Sequence, residues 1–117
     1  MALSIFAARA AFEPLRSLAF GSISGAYAKV GTPLSNPARL IHVYNGCNTD
    51  MEFSIDGTNA HFYVPAGGFI LFDFTTNHTS PEGFFIPQGT QFYVKQASAP
   101  GSGAVWITVV YGLALQP

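Results

Sequence analysis

Charged side chains are scarce in this sequence of 117 residues. They make up 9% of the chain, with five basic and six acidic residues, and the formal net charge is −1. A typical soluble domain carries about 25% charged residues. Because a free monomer needs charge at its surface to stay soluble, the shortage favours a subunit that covers much of its surface with partners. A small monomer solubilised by Ser, Thr, Asn and Gln is the alternative.

The few basic residues are dispersed along the chain rather than clustered. Nucleic-acid binding normally requires a basic footprint that neutralises phosphates. We therefore expect no direct nucleic-acid partner. The five basic residues are Arg9, Arg16, Lys29, Arg39 and Lys95.

Cysteine is nearly absent as well. Cys47 is the single cysteine, so no internal disulfide can form and an oxidising compartment would add nothing to stability. Residues 1–16 are apolar, but they lack the basic start and the cleavage region of a signal peptide. They are also too short to span a bilayer. We expect neither a secretory leader nor a membrane partner.

Short apolar runs separated by turn residues occupy most of the chain. Residues 39–68 hold three such runs, and an Asp56-Gly57 turn separates the second from the third, because these residues tolerate left-handed backbone angles. No helix fits between runs so closely spaced, so we expect an antiparallel meander. The three strands predicted here are 40–44, 51–55 and 61–64.

The pattern within the runs indicates how each strand is covered. Met51, Phe53 and Ile55 share one face and Glu52 and Ser54 point the other way, which is the period of a half-buried strand. Residues 69–74 and 104–111 are apolar on both sides. We therefore expect both faces of the first strand to be covered by the N-terminal arm or by another subunit, and the second to be a central strand of a sandwich. Further predicted strands lie at 17–30, 84–86 and 90–96.

These signals predict one all-β domain, a single antiparallel β-sandwich that is jelly-roll-like and has about eight strands. In this prediction residues 1–16 are a short N-terminal arm and residues 17–117 are the β-sandwich domain. The chain is long enough to bury a core without metal or disulfide support.

A catalytic site needs groups that this sequence does not bring together. His42, His61 and His78 form no HxH or HxxxH pair, so we expect no metal site. A cupin-like metalloenzyme stays as an alternative, because a jelly-roll with a PAGG turn is compatible with that class. Glu52 and Asp56 have no enforced geometry as paired carboxylates, and no serine lies in a GxSxG turn. We expect no enzyme, no cofactor, and no catalytic, cofactor-binding or metal-binding residues.

Aromatic side chains suggest a second function of another class. Aromatic rings pack on the apolar faces of sugars, so exposed rings would suit a carbohydrate-binding module for host adhesion. Packing in the core and in subunit interfaces is the competing explanation, and it accounts better for eleven phenylalanines. The four candidate residues are Phe62, Tyr63, Tyr93 and Trp106.

Several segments together resemble a group of small virion proteins of tailed bacteriophages. They are RSLAFGSISGAYAKVGTPLSNPARLIHVYN at residues 16–45, MEFSIDGTNAHFYVPAGGFILFDF, GTQFYVKQ and SGAVWITVVYG. The resembling segments make up most of the chain. They consist of turn and strand motifs and include no catalytic motif. It implies a β-sandwich subunit repeated around the particle, as a capsid decoration (cement) protein or as a head–tail connector, neck or tail component. It carries over no active-site residue.

The functional expectation is therefore a structural bacteriophage protein located in the virion. It would assemble as a homo-oligomer and stabilise the particle through contacts with itself and with other virion proteins, such as the major capsid protein or neck and tail proteins. Low charge agrees with this role, because symmetric repetition buries one apolar interface many times. The segments expected to make the contacts are 1–16, 17–30, 75–83 and 97–103.

Overall fold

A computed structural model describes residues 8–74 and 85–114 of the chain, and every structural statement below concerns those residues. They form nine strands, a short 3-10 turn at Phe20–Ser22, and no α-helix. The prediction of an all-β fold is confirmed for this part of the chain. The strands are β1 (Ala8–Phe12), β2 (Arg16–Ala19), β3 (Ala28–Lys29), β4 (Ala38–Asn45), β5 (Met51–Ser54), β6 (Phe62–Val64), β7 (Phe69–Asp73), β8 (Tyr93–Gln96) and β9 (Ala104–Ala114).

The strands pair into two antiparallel sheets. The five-stranded sheet has the order β1-β9-β4-β7, and β2 also pairs with β9. Strands β1 and β2 take successive stretches of β9, since Phe12 lies opposite Val110 and Arg16 lies opposite Ile107. The four-stranded sheet has the order β3-β8-β5-β6. The long apolar strand β9 is therefore central, as its pattern predicts.

The predicted meander of three neighbouring strands is wrong. Strand β4 belongs to the five-stranded sheet, whereas β5 and β6 pair with each other in the four-stranded sheet. The chain crosses between the sheets directly after Asn45, whose buried side-chain amide donates to the carbonyl oxygens of Thr49 at 2.9 Å and Val64 at 3.0 Å. Its oxygen accepts the N–H of Cys47 at 3.0 Å. These bonds fix a crossing turn where the sequence suggests a hairpin.

Both sheets contribute to one buried core. The residues that point inward from β4 and β9 alternate with residues that point outward, as the period of two requires. In β5 the predicted alternation is confirmed for Met51 and Phe53 and is wrong at the end of the strand, where Ser54 is fully buried and Ile55 is 37% exposed. The Ser54 hydroxyl is held in the following turn, because it donates to Asp56 and accepts the N–H of Gly57. The core members from the five-stranded sheet include Ile41, Val43, Val105, Ile107 and Val109, and those from the four-stranded sheet include Met51, Phe53, Val64 and Val94.

Two predicted segments differ in detail from the structure. The strand expected at 17–30 is divided into β2 and β3 by the 3-10 turn and a loop. At 84–86, Ile86 forms only an isolated bridge with Ala38. Residues 8–12 of the expected arm form β1, and residues 1–7 lie outside the described part of the chain. The division of the chain into an arm and a domain stays a prediction.

Candidate interaction surface

The outer face of the five-stranded sheet presents large apolar side chains to solvent. Residues directly opposite each other in an antiparallel pair point to the same side of the sheet. Tyr44 lies opposite both Phe69 of β7 and Trp106 of β9. Two residues away along the strands, on the same face, His42 lies opposite Leu71. Strand β1 adds one more large side chain through its pairing with β9. We call this surface the outer apolar face, and its exposed members are Phe12, Tyr44, Phe69, Leu71 and Trp106.

The exposed area of these five side chains is comparable to the largest apolar patch of a typical soluble monomer. The exposed fractions are 67% for Phe12, 65% for Phe69, 51% for Leu71, 40% for Trp106 and 39% for Tyr44. With about 200 Å² for a side chain of this size, they leave on the order of 500 Å² of apolar surface in water. The largest apolar patch of a typical monomer measures about 300–600 Å² and is often functional.

Charged side chains occur in both sheets. In the five-stranded sheet, Asp73 ends β7, Arg39 lies at the irregularity of β4 between Ala38 and Leu40, and Arg9 and Arg16 lie in β1 and β2. The outer face of the four-stranded sheet carries Glu52 and Lys95, whose Oε1 and Nζ atoms are 3.8 Å apart. The Lys95 Nζ atom also lies 4.9 Å from the centroid of the Tyr27 ring. The five-stranded sheet is thus distinguished by its exposed large apolar side chains, not by a lack of charge.

An apolar cleft of about 200 Å³ opens beside β6 and β7. The Phe62 ring contributes to its wall, stacked on Phe53 with a centroid distance of 5.2 Å and placed edge-on to Phe72 at 5.0 Å. One lining side chain, that of His61, contains nitrogen atoms, and the others are hydrocarbon side chains of Ile and Phe. This composition provides no acid, base or nucleophile pair. The lining residues are Ile41, Ile55, His61, Phe62, Phe72, Phe74, Ile86 and Phe92.

The histidines do not converge in the described part of the chain. The His42 ring lies on the outer apolar face, 5.2 Å from the centroid of Phe69. His61 lies on the opposite sheet, and its Nδ1 atom accepts the N–H of Ile55 at 3.1 Å. His78 lies outside the described residues. Residues 8–74 and 85–114 contain no group of three or more His, Cys, Asp or Glu side chains placed to hold a metal ion.

The two carboxylates considered as a catalytic pair have separate structural partners. Glu52 faces Lys95, as described above, and Asp56 closes the turn after β5. The Asp56 Oδ1 atom accepts the backbone N–H groups of Asn59 at 2.9 Å and Thr58 at 2.8 Å. These bonds, that of Asn59 first, hold the pKa of the Asp56 carboxyl well below its usual range. Asp56 therefore acts as a turn cap.

The four aromatic residues considered for sugar binding lie on three different surfaces. Phe62 points into the cleft between the sheets. Tyr63 and Tyr93 lie on the outer side of the four-stranded sheet, where Tyr63 donates its hydroxyl hydrogen to Asp50. Trp106 lies on the outer apolar face, directly opposite Tyr44. Of the four, Trp106 is thus the one that lies in register with an exposed aromatic residue of the same face, Tyr44.

A buried ion pair joins the end of β1 to the start of β2, and the sequence gives little sign of it. Arg16 Nη2 donates to Glu13 Oε1 at 2.8 Å, and these side chains are only 5% and 2% exposed. Glu13 Oε2 also accepts the backbone N–H of Asn36 at 2.8 Å and that of Ser35 at 3.1 Å. Arg16 Nε donates to the carbonyl oxygen of Thr32 at 2.9 Å. The pair fastens the first two strands to the loop before β4.

Stability at acid pH is expected to depend on Glu13. Burial raises the pKa of its carboxyl, but the hydrogen bonds from Arg16, Asn36 and Ser35 outweigh burial and hold that pKa below the usual value of 4.5. A lowered folded-state pKa contributes stability that is complete above the unfolded value and is lost as the pH falls through the folded value. We expect the unfolding free energy to fall more steeply below pH 4.5 in the wild type than in Glu13→Gln. Urea unfolding at a series of pH values measures both slopes, and parallel slopes would contradict this assignment.

Comparison with protein families, with curated proteins and with solved structures found no significant match. The outer apolar face is therefore interpreted from its own residues.

The other segments expected to make contacts are only partly described. Residues 75–83 lie outside the described part of the chain. The loop 97–103 is fastened to the turn after β4, because Thr49 Oγ1 donates to the Ser98 carbonyl at 2.9 Å and the N–H of Gly101 donates to Asn48 at 2.8 Å. No helix within residues 8–74 and 85–114 has the length and apolarity needed to cross a membrane.

Proposed function

We propose that this chain is a structural protein of a bacteriophage virion that assembles as a homo-oligomer on the particle and stabilises it through subunit contacts. It would serve as a capsid decoration or cement protein, or as a head–tail, neck or tail component. The observation that carries the subunit role is the outer apolar face, which exposes five large apolar side chains on one sheet. The virion setting comes from the resemblance of residues 16–45 and the later segments to small phage virion proteins.

The size of the outer apolar face supports a subunit contact. A stable interface buries about 800 Å² on each partner, with an apolar centre and a polar rim. The estimated apolar area, on the order of 500 Å² from five side chains, is suited to such a centre. Tyr44 and Trp106 lie near its middle, and aromatic residues of these types are enriched at interfaces. A charged neighbour such as Asp73 at the border suits the rim.

The finer architecture is part of the proposal. We infer that the two antiparallel sheets are the layers of one β-sandwich with jelly-roll-like connections. The support is that inward-facing residues of both sheets, among them Val43 and Phe53, belong to a single buried core. Packing of two sheets over a shared core leaves two outer faces, one of which carries the Glu52–Lys95 pair.

To test whether the N-terminal arm contributes to assembly, fewer residues must be removed than the predicted arm contains. Removing residues 1–16 would delete β1 together with Glu13 and Arg16, so loss of assembly would report loss of folding. A chain lacking only residues 1–7 keeps β1 and the ion pair. We expect this chain to keep its strand content and to bind neighbouring subunits more weakly than the wild type.

A particle-labelling experiment tests the virion role. Antibody raised against the purified chain should label intact particles of the phage that encodes it at regular, repeated positions. Particles that lack the protein should lose integrity at lower temperature than complete ones. Absence of label from both intact and disrupted particles would contradict the proposal.

A carbohydrate-binding module for host adhesion is the second candidate, and one observation favours it. Trp106 and Tyr44 are adjacent and each is about 40% exposed, which would allow their rings to pack on a sugar. A glycan array separates the two functions. Specific binding that is lost in Trp106→Ala would support adhesion, whereas an array without binding would support the structural role. Tyr63→Ala serves as the matched control on the opposite sheet.

A further inference from the structure

Strand β7 ends the five-stranded sheet with an open side. The N–H of Asn45 donates to the carbonyl of Gly68 at 2.9 Å, and the N–H of Phe74 donates to the carbonyl of Arg39 at 2.7 Å. Because backbone bonding directions alternate along an antiparallel strand, the bonds to β4 come from the even-numbered residues. Phe69 and Leu71 therefore direct their own N–H and C=O groups away from β4. No strand within residues 8–74 and 85–114 pairs with that side.

The open side of β7 has few of the features that normally protect an edge strand, since its one charged side chain, Asp73, is the last residue of the strand. Native edges are usually short, or they carry charges, prolines or bulges that prevent pairing with another chain. Strand β7 has five residues in unbroken register with β4. Its side chains on the outer surface next to the open side are Phe69 and Leu71, which are 65% and 51% exposed.

The other sheet edges are protected by comparison. Strand β3 is only two residues long and includes Lys29, and β6 is three residues long and is followed by Pro65. On the far side of the five-stranded sheet, β1 carries Arg9 and is separated from β2 by a segment that includes Pro14. Among the described strands, β7 is thus the edge best suited to accept a further strand.

We propose that a second copy of this chain pairs with β7 in antiparallel orientation, about a two-fold axis that passes beside Ile70. This register places Phe69 opposite the partner's Leu71 and Leu71 opposite the partner's Phe69. Each of these two pairs exchanges both backbone hydrogen bonds, so four new bonds form. The two five-stranded sheets become one continuous sheet of ten strands.

A second copy suits this edge because the edge is complementary to itself. In the proposed register the two apolar side chains of one copy meet the two apolar side chains of the other at about 5 Å between Cβ atoms. No ionised side chain belongs to either pair, and a two-fold contact requires no second kind of surface. The pairing also joins the outer apolar faces of both copies along a seam between the two β7 strands. Tyr44 lies on β4, the strand next to this seam. This inference rests on the homo-oligomer of the proposed function and identifies the element that forms it.

Two lysine substitutions distinguish pairing at the β7 edge from packing through the outer apolar face. Leu71 and Trp106 are 51% and 40% exposed on the same face, but only Leu71 lies at the proposed seam. We expect Leu71→Lys to halve the mass measured by light scattering at a fixed concentration and to leave the circular dichroism spectrum unchanged. Trp106→Lys should keep the wild-type mass. Loss of assembly in Trp106→Lys alone would overturn the edge pairing in favour of face-to-face packing.

A cross-link gives an independent readout that does not depend on loss of assembly. In the double variant Phe69→Cys and Leu71→Cys, each new thiol faces a partner thiol with the Cβ atoms about 5 Å apart, which a short bis-maleimide spans. This reagent should convert the chain to a covalent dimer, while the wild type, whose Cys47 is buried, stays unlinked. An oligomeric double variant that does not cross-link would overturn the register and leave the proposed function standing. A wild type that is monomeric at high concentration would overturn both.

Discussion

Replacing Arg16 by Met is expected to lower the unfolding free energy by about 3 kcal/mol, because it breaks a buried ion pair from one side. The carboxylate of Glu13 would stay buried at 6% exposure without its cation. The carbonyl oxygens of Thr32 and Pro33 would each lose an Arg16 donor, at 2.9 and 3.2 Å. A loss of this size lowers the melting temperature by on the order of 10 °C in a domain of this length.

The matched control for this substitution is Arg9→Met. Arg9 lies in β1 only seven positions earlier, and its side chain is exposed. An exposed substitution of this kind should change the unfolding free energy by no more than about 0.5 kcal/mol. Urea unfolding of the three proteins measures the difference. Equal midpoints for Arg16→Met and Arg9→Met would show that the ion pair does not stabilise the fold.

Gly103→Ala is expected to destabilise the protein by about 3 kcal/mol or more, through the backbone rather than through lost contacts. Gly103 has φ +94°, a conformation that side chains with a Cβ atom rarely adopt. An added Cβ would lie 2.0 Å from the carbonyl oxygen of Gly46 and 2.8 Å from the Cα atom of Cys47. These are backbone atoms, so relief requires β4 and β9 to separate where the two strands meet.

Gly101→Ala is the control for this second prediction. It lies two residues earlier in the same loop, its φ is not positive, and the nearest atom to an added Cβ is Asn48 Nδ2 at 3.5 Å. We expect its unfolding free energy to stay within about 0.5 kcal/mol of the wild type. Thermal unfolding monitored by circular dichroism measures both variants. A Gly103→Ala protein as stable as Gly101→Ala would mean that the two strands separate readily at this point.

The strands themselves could be predicted because their signals are local. The alternation around Met51 and Phe53, and the apolar run of β9, depend on residues within a few positions of each other. Pairing is not local. The sequence does not indicate that Asn45 turns the chain from one sheet to the other, because its two carbonyl partners include Val64, nineteen residues later.

The exposed residues of the candidate surface could not be predicted from the sequence. Low charge predicts that a partner covers part of the molecule, and the apolar run at 69–74 predicts a strand covered on both faces; both stay predictions. Which residues stay exposed depends on the register of β7 against β4, and that register leaves Phe69 and Leu71 in solvent. The Glu13–Arg16 pair was missed for a similar reason, since Ser35 and Asn36 complete it from more than twenty residues away.

The mass of the full-length chain in solution tests the central claim most directly. Multi-angle light scattering across a hundredfold range of concentration would show whether the outer apolar face and the β7 edge act as subunit contacts. We expect a defined oligomer with an even number of subunits, whose population rises with concentration and does not fall when salt is added, because the contact is apolar. A stable 12.5 kDa monomer over the whole range would contradict the assembly role and would favour the carbohydrate-binding alternative.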